Sequence, residues 1–187
     1  KFLHPGPGFG GSCFPKDIQA FAALSNNKGL PMKTIEAAIS ANDHQKTRMT
    51  EKMKSLMGGD FAGKQIAVLG LAFKPNTDDV RESSSITMIR TIFDHGGHVR
   101  AYDPIANDSM KEIFPELNCF ESWELACKDA DGVVIMTEWN EFRGMSLDVL
   151  KSLVSTPVIL DTRNILSIEK LNEYGFIFDN VGRKPVL

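Results

Sequence analysis

The strongest constraint on the fold is a rhythm that begins at Lys64, where short apolar runs alternate with stretches of helical periodicity. Strands are predicted at 65–69, 98–102, 132–136 and 158–160, with a weaker one at 176–178. Helices are predicted at about 84–95, 123–128, 146–153 and 168–173. Such alternation is typical of a parallel sheet with crossover helices. The sequence therefore predicts a doubly wound, mainly parallel α/β domain over residues 60–187.

The first 59 residues have a different organisation, with a Pro/Gly-rich loop over 4–13 followed by two helices. The first predicted helix runs from Phe14 to about Lys28, with Gly29 at its C-cap. Pro31 suits the first turn of the second, which runs to about Met57. This long central helix exceeds the usual globular length, so part of its apolar face is expected to meet another domain or subunit. A homodimer through 31–57 is expected, and the predicted domains are 1–59 and 60–187.

Composition removes several classes of function. A net charge of -3 over 187 residues supplies no basic field for nucleic acid. The sequence has neither an apolar run of about 20 residues nor a signal-peptide pattern, so no membrane partner and a cytoplasmic location are expected. The three cysteines and four histidines lack metal-site spacing, and no metal is predicted. Because the chain opens at Lys1 directly into a loop, it is expected to be a fragment.

One cysteine has surroundings that favour chemistry. Cys13 follows Gly10-Gly11-Ser12 and precedes a helix whose first turn contains Pro15. Glycines allow a substrate to approach the backbone closely, and the positive end of a helix favours a thiolate. Asp17 can act as a general base and Lys16 can stabilise an oxyanion. From the residues alone, a small buried cysteine with two solvated charges beside it stays open.

A second candidate site follows the strand at 65–69. A dinucleotide fingerprint would place three glycines there, and only Gly70 is present, so this is not a standard NAD site. Lys74 and Arg81 flank the loop, and Ser83–Ser85 supply N-cap hydroxyls at a helix start, which suits an anionic ligand. A capped helix with two solvated cations is the alternative.

Three later strand ends carry polar or aromatic residues. Asp103 is interpreted as a strand-end turn, because the glycine fingerprint that would make it a ribose ligand is missing. Trp139 and Phe142 can stack on a base, although burial is the commoner role. Arg163 lies at the carboxyl edge of the sheet, where ligands bind, with a salt bridge to Asp161 or Glu138 as the alternative.

The run Gly-Phe-Gly-Gly-Ser-Cys-Phe-Pro-Lys-Asp at 8–17 resembles the active-site loop of the UDP-glucose/GDP-mannose dehydrogenase family, and its last six residues resemble the UDP-glucose branch. The run Gly-x-Ala-Phe-Lys at 70–74, followed by Thr-Asp-Asp-x-Arg-Glu-Ser at 77–83, resembles the family's C-terminal, Rossmann-like UDP-binding domain. The resemblance covers the chain essentially from end to end.

This resemblance implies an NAD-dependent, four-electron oxidation of a UDP-sugar alcohol to a carboxylate. Cys13 would form a thiohemiacetal and then a thioester, Asp17 would activate the hydrolytic water, and Lys16 would support the charge. It also implies contacts by matching residues. Those to the UDP-sugar are His4, Pro5, Gly6, Pro7, Gly8, Phe9, Gly10, Phe73, Lys74 and Arg163, and those to NAD are Cys13, Lys16 and Arg81.

Family members carry an NAD-binding domain ahead of the cysteine loop, so this chain alone is expected to bind UDP-sugar weakly and not to turn over. Three other functions stay open. One is a nucleotide-sugar-binding and dimerisation module without catalysis, and another is a sister enzyme for GDP-mannose or UDP-N-acetylmannosamine. The third is acyl transfer by Cys13 with Asp17 or His44.

Overall fold

A computed structural model describes residues 4–183, and its centre is a sheet of six parallel strands. The strands are β1 (Gln65–Leu69), β2 (His98–Tyr102), β3 (Asn118–Cys119), β4 (Gly132–Ile135), β5 (Val158–Asp161) and β6 (Ile177–Asn180). Their order across the sheet is β3-β2-β1-β4-β5-β6. The predicted doubly wound, Rossmann-like fold is confirmed.

Eight helices cover the described part of the chain. They are α1 (Phe14–Asn27), α2 (Lys33–Leu56), α3 (Ser84–Asp94), α4 (Asn107–Ile113), α5 (Trp123–Cys127), α6 (Asn140–Arg143), α7 (Leu147–Leu153) and α8 (Ile168–Glu173). All predicted elements are present within about two residues, whereas β3, α4 and α6 were not predicted. Pro31 was wrongly given to the first turn of α2, because Met32 is the N-cap. Within residues 4–183 no helix is long and apolar enough to cross a membrane.

The central strands are apolar without alternation because both faces of the sheet are covered. All four residues of β4 and of β5 are buried. One face packs against α2 and α3 in a cluster that includes Val68, Met53 and Met88. The other face carries Leu69 and Phe142 in a second cluster. A continuous apolar run is what a parallel strand between two helical layers requires.

The second half of α2 belongs to this core. Met49 and Met53 are fully buried, and a Cβ added to Gly132 in β4 would lie 2.7 Å from the Cε of Met53. Lys52 donates to both carboxylate oxygens of Asp179 at 2.8 Å, which ties α2 to β6. The helix therefore packs on the sheet along its second half, while the domain division at residue 59 stays a prediction.

The carboxyl edge of the sheet contains a topological switch point between β1 and β4, where the strand order reverses. Open α/β sheets bind their ligands in the crevice at such a point. The loops after the two strands touch there, since a Cβ on Gly70 would lie 2.5 Å from the Cβ of Thr137. Gly70 also has a φ of 91°, so a larger residue is excluded on both grounds.

Candidate active site

The loop that carries Cys13 is seated on the segment between β1 and α3. The amide of Gly11 donates to the carbonyl of Arg81 at 2.8 Å. A Cβ on Gly10 would overlap the carbonyl oxygen of Glu82, and a Cβ on Gly11 would lie 2.8 Å from the ring of Phe73. The two glycines thus allow this contact between two segments of the chain, a role that their spacing in the sequence does not reveal.

Cys13 occupies the N-cap position of α1 and is exposed. Its Sγ lies 3.7 Å from the hydroxyl of Ser12. Burial raises the pKa of the Cys127 thiol, which is buried, and that of the Cys119 thiol, which is partly buried. The thiolate is the nucleophilic form of cysteine. Of the three thiols, Cys13 is the exposed one, so the interpretation of it as a buried cysteine is wrong.

Lys16 and Asp17 lie in the first turn of α1 beside the thiol. Both side chains are exposed, and the Nζ of Lys16 is 3.6 Å from a carboxylate oxygen of Asp17. The amide of Asp17 donates to the Cys13 carbonyl at 2.9 Å, which forms the first helical bond. His44 lies on α2, where its Nδ1 is 3.4 Å from the Ser40 hydroxyl. In the described part of the chain, none of these three side chains hydrogen-bonds to the Sγ of Cys13.

Arg81 brings a fixed positive charge to the cysteine loop. Its Nε and one terminal nitrogen each donate to Asp79 at 2.9 Å. This bidentate bond to Asp79 raises the pKa of Arg81, and the proximity of Cys13 adds a smaller contribution in the same direction. The same bond is the main cause that lowers the pKa of Asp79. The guanidinium is itself exposed, so its remaining donors are accessible to an anion.

Arg163 lies at the end of β5, where it connects three loops. Its Nε donates to the Met136 carbonyl at 2.6 Å, and a terminal nitrogen donates to the Phe73 carbonyl at 3.3 Å. A Cβ on Gly6 would lie 3.2 Å from the other terminal nitrogen. Arg163 thus joins the segment after β1, the segment after β4 and the loop that leads to Cys13.

The partner of Arg163 is Glu138, as one of the sequence alternatives had it. A carboxylate oxygen of Glu138 is 3.2 Å from the Nε of Arg163. That oxygen is buried and accepts no hydrogen bond from the residues that the structure describes, because the Nε–H of Arg163 is directed to Met136. Burial lowers the pKa of Arg163, and the Glu138 charge opposes this shift.

The remaining predicted contacts lie around the same edge. Lys74 is exposed, with its Nζ 5.1 Å from the centre of the Phe73 ring. In the loop before Cys13, His4 and Pro5 are exposed, Pro7 is buried, and Gly6, Gly8, Phe9 and Gly10 are half-buried. The fold thus brings the cysteine loop, Phe73, Lys74, Arg81 and Arg163 to one side of the sheet.

At the same sheet edge, the carboxylate of Asp103 is already saturated with hydrogen-bond donors. One oxygen of its buried carboxylate accepts the amides of Leu71 and Ala72 and the indole N–H of Trp139, at 2.7, 3.2 and 3.1 Å. The other accepts the amides of residues 105 and 106, both at 3.0 Å. No lone pair is left for a ribose, and Asp103 is a strand-end turn as predicted. Phe142 is fully buried, so its ring is not accessible for stacking on a base.

Comparison with known proteins identifies the class. Residues 67–168 match the model of the UDP-glucose/GDP-mannose dehydrogenase family, UDP binding domain, and residues 1–44 match the model of the central domain of the same family. The chain belongs to the UDP-glucose/GDP-mannose dehydrogenase family, the nucleotide-sugar dehydrogenases.

Three individual members of the family are similar to this chain over nearly its whole length. A UDP-glucose 6-dehydrogenase of Rhizobium meliloti (strain 1021) is 42% identical over 183 residues, which cover 98% of this chain and 42% of the relative. The structure of a UDP-glucose dehydrogenase from Pyrobaculum islandicum matches with a TM-score of 0.81 at 31% identity, over 93% of this chain and 38% of that one. A UDP-D-ManNAc dehydrogenase from Pyrococcus horikoshii gives 0.80 at 29%, over 97% and 40%. The chain thus spans about two fifths of the length of these relatives.

Proposed function

We propose that this chain is the cysteine-bearing and UDP-binding part of an NAD-dependent UDP-glucose 6-dehydrogenase, which oxidises UDP-glucose to UDP-glucuronate. The 42% identity to a UDP-glucose 6-dehydrogenase over 98% of the chain supports this substrate. The observation that carries the proposal is the exposed Cys13 on a loop that packs against Phe73 and Arg81, at the ligand-binding edge of the sheet.

The UDP-sugar is held by the residues that converge on this edge. Exposed Lys74 supplies positive charge for the diphosphate, and Phe73 supplies an apolar face beside it. Arg163 contributes the nitrogen that faces Gly6, since its Nε and its other terminal nitrogen already donate to main-chain carbonyls. The loop from His4 to Gly10 holds the sugar, largely through its backbone, and thereby presents the C6 carbon to the thiol.

Cys13 makes the reaction a four-electron oxidation. NAD, when bound, supplies the hydride acceptor at both oxidation stages. The Sγ thiolate adds to the carbon of the intermediate aldehyde, and the resulting thiohemiacetal is oxidised to a thioester on Cys13. Asp17 takes a proton from the water that attacks this thioester, and the C–S bond breaks to release the carboxylate and the thiolate. The sum is one alcohol, one water and two NAD giving one carboxylate, two NADH and three protons.

The described residues take part in cofactor binding only at the periphery. Because Asp103 is saturated and the glycine fingerprint is missing, the sheet of this chain does not hold the dinucleotide. Cys13 and Lys16 fit contacts to the nicotinamide, and the exposed cation Arg81 fits a further contact to the cofactor. Because the chain spans about two fifths of the length of its relatives, we infer that the main NAD-binding residues lie in the remaining part and that the isolated chain does not turn over.

A homodimer through residues 31–57 and a cytoplasmic location complete the proposal. Large apolar side chains are exposed on α1 and on the turn into α2, and they are Phe21, Leu24, Leu30 and Met32. Exposed apolar groups in one region mark an interaction surface. This observation supports a second protein surface that packs on the α1–α2 hairpin. Sedimentation of the whole protein measures its oligomeric state and so tests the dimer.

The test uses the whole protein that carries this chain, with NADH absorbance as the readout. UDP-glucose should yield two NADH per sugar, Cys13→Ser should abolish this steady-state yield, and Cys119→Ser should leave it unchanged. If Cys13→Ser retains full turnover, the proposed role of the thiol is wrong. Calorimetric titration with UDP-glucose, GDP-mannose and UDP-N-acetylmannosamine separates the sister enzymes, and a clear preference for either of the last two would reassign the substrate.

A further inference from the structure

Three polar side chains on one face of α2 have no role in the function described so far. We call Asn42, Gln45 and Lys46 the polar patch. Asn42 and Lys46 are 9% and 8% exposed, and they interrupt an apolar stripe that continues with Met49 and Met53. Burying polar groups is costly unless they are hydrogen-bonded, so their presence requires partners inside the fold.

Asn42 binds the cysteine loop at both main-chain groups of one residue. Its Oδ1 accepts the amide of Phe9 at 2.7 Å, and its Nδ2 donates to the carbonyl of Phe9 at 3.1 Å. An adjacent strand would satisfy a backbone in the same manner. Gln45 adds a third bond, from its Nε2 to the Gly6 carbonyl at 2.8 Å. The backbone of the loop is therefore held by side chains from a helix that lies more than 30 residues further along the chain.

Lys46 holds the segment against which this loop packs. Its Nζ lies 3.2 Å from the Glu82 carbonyl oxygen and 3.3 Å from a Glu82 carboxylate oxygen. That carbonyl is the atom nearest to a Cβ on Gly10. Glu82 has a φ of 55°, a conformation that non-glycine residues rarely adopt. One face of α2 thus fixes both sides of the contact between the cysteine loop and the β1–α3 segment.

The loop also lies directly on the patch. A Cβ on Gly8 would be 2.9 Å from the Oδ1 of Asn42 and 3.1 Å from the Cγ of Lys46. The ring of Phe9 packs edge-on against the ring of Phe14, with 4.9 Å between the ring centres. Phe14 is the residue directly after Cys13. Fixing Phe9 therefore restrains the chain on both sides of the thiol.

We propose that Asn42 and Gln45 are positioning residues that fix the Cys13 thiol relative to the bound sugar. Lys46 supports them by holding the Glu82 segment against which the cysteine loop packs. This inference rests on the proposed function for its catalytic consequence, while the restraint of the loop is independent of it. A displacement of about 1 Å at a reacting group costs on the order of 100-fold in rate, so a nucleophile on a loop needs such a restraint.

The first experiment measures the restraint itself. Amide hydrogen exchange over residues 5–13 of the whole protein is compared between wild type, Asn42→Ala and Asp43→Ala. Two hydrogen bonds of ordinary net strength are lost in Asn42→Ala, so exchange of the Phe9 amide should accelerate about tenfold or more. Asp43 is exposed on the same helix turn, and Asp43→Ala should leave the rates unchanged. Equal exchange in all three proteins would overturn the proposal, whatever the activity.

The second experiment measures the catalytic consequence. Asn42→Ala should lower kcat about 10- to 100-fold, while the affinity for UDP, measured by calorimetry, should stay within about twofold because UDP needs no thiol. Gln45→Ala loses a single hydrogen bond and should lower kcat to a smaller extent. This second variant tests the proposal if Asn42→Ala does not fold. If kcat and UDP affinity fall together, the patch has a general structural role and positioning is refuted. If exchange is faster in Asn42→Ala but the wild-type whole protein produces no NADH from UDP-glucose, the proposed function is wrong, while the restraint of the loop by Asn42 still holds.

Discussion

Asp103 offers the sharpest test of how the carboxyl edge is built. Its carboxylate accepts five N–H donors within 3.2 Å, and it is 1% exposed. Replacement with Asn keeps the shape but leaves one acceptor oxygen and introduces an NH2 group. In either orientation of the amide, two or three donors therefore lose their acceptor and face another donor.

The cost follows from the number of orphaned donors. A buried donor without a partner costs about 1–3 kcal/mol, and some relaxation reduces the sum. We expect Asp103→Asn to lower the free energy of unfolding by about 3–5 kcal/mol, a loss typical of a broken buried network. In a chain of this size each kcal/mol corresponds to about 2–4 °C, so the melting temperature should fall by about 10 °C.

Urea unfolding followed by circular dichroism measures the difference, with Asp108→Asn as the matched control. Asp108 is an exposed carboxylate in the first turn of α4, so its neutralisation should cost only about 0.5 kcal/mol through the helix dipole. The two variants have the same change in charge. If Asp103→Asn is no less stable than Asp108→Asn, the carboxylate is not a structural acceptor, and its assignment as a strand-end turn in place of a ribose ligand is refuted.

Three further predictions concern the loop, a buried phenol and the helix–sheet contact. Gly10→Ala should cost about 1–3 kcal/mol of stability by overpacking and should lower turnover of the whole protein about 100-fold. Tyr102 should ionise above the ordinary pKa of about 10, because burial first and the charge of Glu141 second raise its pKa, and phenolate absorbance follows this. Met53→Ala should cost about 2–5 kcal/mol in urea unfolding, because it leaves a cavity between α2 and β4.

Controls separate these mechanisms. Gly144 has a negative φ and no atom closer than 3.5 Å to an added Cβ, so Gly144→Ala should stay within about 0.5 kcal/mol of wild type. A Gly10→Ala loss of the same size would contradict the loop contact. Glu141→Gln should move the titration of Tyr102 only part of the way down, since burial remains. Full recovery of the ordinary pKa would mean that burial is not the first cause.

The sheet could be predicted because its central strands leave a local signal. A strand covered on both faces is a continuous apolar run, and β1, β4 and β5 are such runs. The missed elements have no such signal. β3 has two residues, and its partner is selected by the register opposite Arg100 and Ala101, which is a tertiary effect. The short helix α6 has four residues, of which only Phe142 is buried, so it leaves no periodic pattern in the sequence.

The candidate site could be predicted in part for a similar reason. Cys13, Lys16 and Asp17 are contiguous, so a motif contains them. Asn42 and Glu82 reach the site from distant parts of the chain, and no contiguous motif contains either of them together with Cys13. The available signal was the polar interruption of the α2 stripe, since a buried amide in an otherwise apolar face implies a partner.

The glycines before Cys13 belong to the contiguous motif and also form contacts with distant parts of the chain. In the sequence they indicate close approach by a ligand, yet Gly10 and Gly11 are closely approached by the chain itself, at Glu82 and Phe73. Gly6 faces Arg163 in the same manner. Since Phe73 and Arg163 are also the residues proposed to hold the UDP-sugar, a shift of the nucleotide-binding segment would be transmitted to the thiol through these contacts. The cysteine loop and the nucleotide-binding segment therefore meet at these contacts, and α2 holds the loop side through Asn42 and Gln45.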